Sequence, residues 1–127
     1  MATQGLLSIV INGQVAVKAV TGCDGYEMPN IARDVKKNRV TDAQGLLKLC
    51  HKHGLGGDSL IVQSSPTKWL GDYDEDELPE LYAENFNDPN FNPRWKYGTA
   101  EYTEVVDMSS NDHEISGWPG YSERTLI

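Results

Sequence analysis

The hydrophobic pattern opens with a short, β-branched and nearly continuous apolar run, Leu6-Leu7-Ser8-Ile9-Val10-Ile11, which predicts a strand covered on both faces. Asn12-Gly13 follows, a pair that accepts positive φ at both positions and so predicts a type I′ hairpin turn. Gln14 to Val20 then reads as the returning strand, with Val15, Val17 and Ala19 on one face and Lys18 on the other. After the break at Gly22-Cys23-Asp24-Gly25 the period changes. Met28, Ile31, Ala32 and Val35 form one stripe of an amphipathic helix, with Pro29 tolerated in its first turn. Thr41-Asp42-Ala43-Gln44 fits a capping box, Thr41 and Gln44 satisfying free N–H groups of a second helix. That helix runs to about His53 and buries Leu46, Leu49 and Cys50, before Gly54 and Gly56-Gly57 end it.

Ser59 to Gln63 predicts a third strand, stopped by Ser64-Ser65-Pro66. Leu78, Leu81, Tyr82 and Phe86 have helical spacing, with Pro79 compatible only near a start. The tandem Asn85-Phe86-Asn87-Asp88-Pro89 and Asn90-Phe91-Asn92-Pro93 predicts two turns that tuck a ring inward each. Thr99 to Asp107 reads as a last strand. This order predicts an α+β domain over residues 1–108, a mainly antiparallel sheet with an N-terminal β-hairpin and two to three helices on one face. Residues 109–127 form a polar tail, docked through Trp118, Tyr121 and Leu126-Ile127 if at all.

Charge adds what hydropathy does not. Residues 1–70 carry eight Lys/Arg against five Asp/Glu, or +3, while residues 71–127 carry three against fourteen, or −11. Asp72-Tyr73-Asp74-Glu75-Asp76-Glu77 places five carboxylates in six residues, and Glu80, Glu84 and Asp88 follow with no base among them. Such a field repels a nucleic-acid backbone and favours a cationic counterpart. Trp69, Tyr73 and Tyr82 beside the carboxylates supply the aromatic area that an anchored interface uses. Asp72, Tyr73, Asp74, Glu75, Asp76, Glu77, Glu80, Glu84, Trp69 and Tyr82 are therefore the candidate partner-binding residues, for a basic protein surface such as that of a nucleic-acid-binding complex. The bland alternative is a solvated acidic loop leading into a helix N-terminus. The basic run Lys36-Lys37-Asn38-Arg39 reads as a solvated helix end.

Candidate chemistry is thin, and no catalytic, metal or cofactor site is assigned. Asp72, Asp74 and Asp76 match the first ligand positions of a calcium loop, but Glu77 stands where the sharp turn needs Gly, and Ala83 where a bidentate Glu is needed. Cys50 and His53 share a helix face, yet a closed zinc site needs two more ligands, and only Cys23 and His113 stand out. Cys23, on a Gly-flanked turn, would serve a small hydrolase or transferase only with His51, His53 or His113 as base. Gly54-Leu55-Gly56-Gly57 closes a helix and is no phosphate cradle. A third reading is a sponge for an anionic nucleotide signal, held by the basic first half. Two cysteines with no framework spacing, no charged start before Lys18 and no long apolar run lead to the expectation of a cytoplasmic protein.

Met1-Ala2-Thr3-Gln4-Gly5, then a hairpin, then Asp24-Gly25-Tyr26 resembles a group of uncharacterised small bacterial and phage proteins. These begin Met-x-Thr-Arg-Gly and carry an Asp-Ser/Gly-Tyr-Pro turn after the second strand. The resemblance covers residues 1–26, with Gln4 in place of the Arg and Glu27 in place of the Pro. It implies only a mobile-element setting. The acidic second half gives the expectation its concrete form, a small phage or mobile-element inhibitor that docks on the basic surface of a nucleic-acid-handling host defence protein. An N-terminal-nucleophile hydrolase would need processing to reach Thr3, because loss of Met1 exposes Ala2, which has no nucleophilic group.

Overall fold

The structure, a computed structural model, describes residues 3–56, 60–71, 86–92, 100–109, 114–116 and 125–126. The chain is α+β. Strands β1 (Gly5–Ile11) and β2 (Gln14–Thr21) form the hairpin, with Asn12 at φ 51° and Gly13 at φ 79° in the turn. A 3-10 turn at Gly25–Glu27 leads into α1 (Met28–Asn38), which is followed by α2 (Ala43–Lys52). Strands β3 (Leu60–Ser65), β4 (Lys68–Gly71), β5 (Tyr102–Asp107), β6 (Glu114–Ser116) and β7 (Thr125–Leu126) complete a sheet of order β4-β3-β2-β1-β5-β6-β7. Among the described residues only the β1–β5 pair is parallel, so the sheet is mainly antiparallel.

The helices lie on one face of it. Met28, Ile31, Ala32 and Val35 of α1 and Leu46 and Cys50 of α2 close over Leu7, Ile9, Val17, Ala19, Leu60, Val62 and Val106. The period-3.6 stripe thus meets the period-2 inward set, as both patterns require. Leu6, Ser8, Lys18, Val20, Ile61 and Gln63 point to the other face and are also fully buried. That face is covered by residues 86–92, which carry no helix or strand, and by Ala100 against Leu6 and Val20.

Four local expectations are corrected. The register slips between Ile9 and Val10, so Ala16 has no opposite number and Val15 pairs with Val10 instead of joining Val17 and Ala19 on the helix side. The cap of α2 is Asp42, whose Oδ1 accepts from the Gly45 N–H at 2.7 Å, in place of Thr41. Strand β3 runs through Ser65, and Pro66-Thr67 turn the chain into β4, which the sequence pattern did not indicate. Lys36 is buried at 5% exposure, its Nζ donating to the Asp107 carbonyl at 2.6 Å, while Lys37, Asn38 and Arg39 are exposed. The expected helix around residues 78–86 lies, except for Phe86, outside the described residues.

The cap correction is testable. Asp42→Ala is expected to lower unfolding stability by about 1 kcal/mol and Thr41→Ala by less than about 0.5 kcal/mol, read by urea denaturation. Equal losses would restore the Thr41 cap.

Candidate functional site

Of the ten candidate partner-binding residues, Trp69 is the one the structure describes. Asp72, Tyr73, Asp74, Glu75, Asp76, Glu77, Glu80, Tyr82 and Glu84 lie outside the described residues. Trp69 stands on β4, the end strand of the sheet, directly opposite Gln63 and therefore on the face away from the helices. It is half-buried, and Leu70 beside it is 37% exposed on the opposite face. Gly71 ends β4, and the acidic run begins with the next residue. An aromatic, an exposed leucine and a dense negative charge are thus contiguous in the chain at a sheet edge.

Trp69 also ends a transverse row that the sequence pattern did not reveal. Ladder register lines up Val105, Ser8, Lys18, Gln63 and Trp69 across β5, β1, β2, β3 and β4. The middle of this row is polar and has no exposure at all. The Lys18 ammonium donates to the carbonyls of Asp88 at 2.7 Å and Phe91 at 2.9 Å, and sits 5.5 Å and 5.8 Å from the ring centres of Phe86 and Phe91. Burial pushes its pKa down to about 8, against the opposing pull of the Asp88 charge. Ser8 Oγ donates to Pro89 O at 2.7 Å, and Asn87 Oδ1 accepts the Val15 N–H at 2.8 Å, a donor that the slipped register leaves available. Gln63 donates weakly to Pro66 O at 3.4 Å, and its Oε1 has no partner among the described residues. The Asn/Asp/Pro tandem foretold turns here, and Phe86 is indeed tucked in; a lone Lys18 in an apolar strand was the available hint of what they cover.

The remaining candidates separate. Cys50 is a core residue whose thiol burial raises to about 12, which leaves almost no thiolate to act as a nucleophile near neutrality. His53 caps the end of α2 and is held by α1 and the 3-10 turn before it, its Nε2 2.7 Å from Asp34 Oδ2 and its Nδ1 3.5 Å from Glu27 Oε2. Lys52 adds a longer contact of 3.9 Å to the same Asp34. Cys23 is exposed, and its backbone is fastened by Thr21, whose Oγ1 donates to Cys23 O at 2.7 Å and accepts from Cys23 N at 3.2 Å. Among the described residues its thiol has no hydrogen bond to His51 or His53, and His113 lies outside them. No group of three or more His, Cys, Asp or Glu suited to a metal occurs among the described residues.

On the helix side, Glu104 of β5 is buried at 6% exposure beneath α1, and its Oε2 has no partner among the described residues. Burial raises its carboxyl to about 7, with the Arg33 charge pulling down. Sequence alternation places Glu104 inward; the missing clue was that α1 would deliver Arg33 and Lys36 to this strand.

No helix among the described residues is long and apolar enough to cross a membrane. No family model, curated protein or solved structure matches the chain.

Proposed function

We propose that this chain is a non-enzymatic interaction protein whose acidic segment docks on a basic surface of another protein. The observation that carries the reading is continuity: the half-exposed Trp69 and exposed Leu70 end the sheet, and five carboxylates follow within residues 72–77. Long-range attraction would steer the encounter and the apolar side chains would hold it. The natural owner of a basic surface is a nucleic-acid-handling protein. In its concrete form the protein is a small cytoplasmic inhibitor of such a complex, carried by a phage or mobile element.

The interior weighs against the nucleotide sponge. Two of the eight cations of residues 1–70, Lys18 and Lys36, are spent on backbone carbonyls inside the fold, so the formally basic half has less positive surface than its composition suggests. The cysteine enzyme loses support because the His53 ring is engaged by two carboxylates.

Changing Asp72, Asp74 and Asp76 to Asn together with Glu77 to Gln is expected to slow partner association at least about tenfold while leaving the thermal transition in place. Affinity purification from the native host at two salt concentrations checks it. Proteins captured by the wild type should be lost both with the variant and at high salt, and a capture indifferent to both refutes the docking.

A further inference from the structure

Asn12-Gly13 and Asp24-Gly25 carry the same latent chemistry, because a glycine with no side chain leaves its amide nitrogen open to attack the preceding side-chain carbonyl. Attack closes a five-membered succinimide ring. At an asparagine the glycine nitrogen bonds to Cγ and loses its proton to solvent, the bond from Cγ to the amide nitrogen breaks, and ammonia leaves. Water then adds to either ring carbonyl and opens the ring to aspartate or isoaspartate. The sum is amide and water to acid and ammonia, with no electrons transferred.

The ring makes a geometric demand. It holds its residue at a ψ of about −120° while φ can stay positive, the shape of the first central residue of a type II′ turn. Positive φ at both Asn12 and Gly13, 51° and 79°, makes the native turn type I′. The two types differ by rotation of the one peptide between the central residues, and both suit a two-residue hairpin. Asn12 already has the sign of φ that type II′ requires, and Gly13 can take up negative φ without strain. That peptide is also unrestrained. Among the described residues neither the Asn12 carbonyl nor the Gly13 N–H makes a hydrogen bond, both residues are exposed, and a Cβ at Gly13 would have nothing within 4 Å. The pairing of Ile11 with Gln14, and the 3.3 Å bond from Asn12 N to Ser109 Oγ, lie outside the rotating unit.

Asp24 starts from the same region, φ 59° and ψ 29°, but its following peptide is pinned at both ends. The Asp24 carbonyl accepts from Glu27 N at 3.0 Å, and Gly25 N donates to Thr3 O at 2.9 Å. Gly25 is buried against the backbone of Gln4 and Gly5, with no space for even a Cβ. One site is free to turn over and the other is locked.

We infer that Asn12 is a self-modification site: in the folded protein its carboxamide converts through a succinimide to aspartate and isoaspartate, while Asp24-Gly25 is held unreactive. Each conversion adds one negative charge at the hairpin tip. Isoaspartate also inserts a methylene into a turn whose length sets the pairing of β1 with β2.

The full chain, folded in buffer and unfolded in urea at the same pH, tests this by peptide mapping with mass spectrometry and chromatographic separation of isoaspartyl peptides. Folded Asn12 should convert no more than about tenfold slower than unfolded, whereas a site that waits for global unfolding is slowed about a thousandfold or more. Folding should slow Asp24 by at least about ten times the factor that it slows Asn12. A folded Asn12 rate below the tenfold limit, or a smaller contrast between the two sites, overturns the inference. Ser109→Ala removes the bond to Asn12 N and should leave the folded Asn12 rate within about threefold of the wild type, because the rotating peptide does not include that nitrogen. A larger change means that the tip's hold on β5, and not the turn flip, governs the reaction, which also overturns it.

Discussion

Gly25→Ala is expected to destabilise the fold by about 3 kcal/mol or more, the upper end of what overpacking produces. A Cβ at this position would lie 2.3 Å from Gln4 O, 2.4 Å from Gln4 C and 2.6 Å from Gly5 N, all backbone atoms with no rotamer to yield. The contact is reciprocal, since a Cβ on Gly5 would meet the Gly25 Cα at 2.7 Å. Gly25 N donates to Thr3 O at 2.9 Å, and Gln4 O accepts from Tyr102 N at 3.2 Å, so a shift of this backbone would disturb the start of β1 and its parallel partner β5 together. Gly13→Ala is the matched control. Its φ is 79° but nothing lies within 4 Å, so only the backbone preference is lost, about 1 kcal/mol. Urea denaturation of both variants decides it, and a Gly25→Ala loss no larger than that of Gly13→Ala would refute the close approach.

The same pair shows what the sequence can and cannot disclose. Gly13 was readable because Asn-Gly between two apolar runs has a local meaning. Gly25 looked like another turn residue, and its actual constraint is the packing of one backbone on another, made by residues twenty positions away in the chain. The amphipathic stripe of α1 and the hairpin were legible for the local reason that period and turn chemistry agree. Strand β4 was missed because Lys-Trp-Leu-Gly is too short to show alternation and Pro66 reads as a terminator. Alternation places Lys18 on the correct face and leaves its environment open. Alternation tells which side a residue points to; it does not tell that a strap with no periodicity will cover that side. Of the proposed docking surface, composition discloses the charge, and register discloses where Trp69 stands.

Two of the buried charges, Glu104 and Lys18 on opposite faces of the sheet, give the stability an unusual pH profile. The Glu104 carboxyl is raised from an ordinary 4.5 to about 7, so between those values the folded state keeps a proton that the unfolded chain has released. Stability from this group therefore falls as pH rises through that window. Lys18 is lowered from 10.5 to about 8, so between 8 and 10.5 the unfolded chain holds the extra proton, and stability from this group rises with pH. Between about pH 7 and 8 both interior groups are charged, and their contributions have their common minimum. Each shift corresponds to about 3 kcal/mol. Glu104→Gln is accordingly expected to match the wild type near pH 4 and to exceed it by about 2–3 kcal/mol at pH 8, because the amide keeps the shape and never ionises. Lys18→Met should differ from the wild type by an amount that is constant well below pH 8 and turns against the variant by about 3 kcal/mol as pH climbs to 10.5, where the folded wild-type amine is neutral and the unfolded one is half deprotonated. Denaturant titrations of the three proteins from pH 4 to 10.5 read these differences directly, and curves that run parallel across the whole range would mean that neither group feels the interior as a charge.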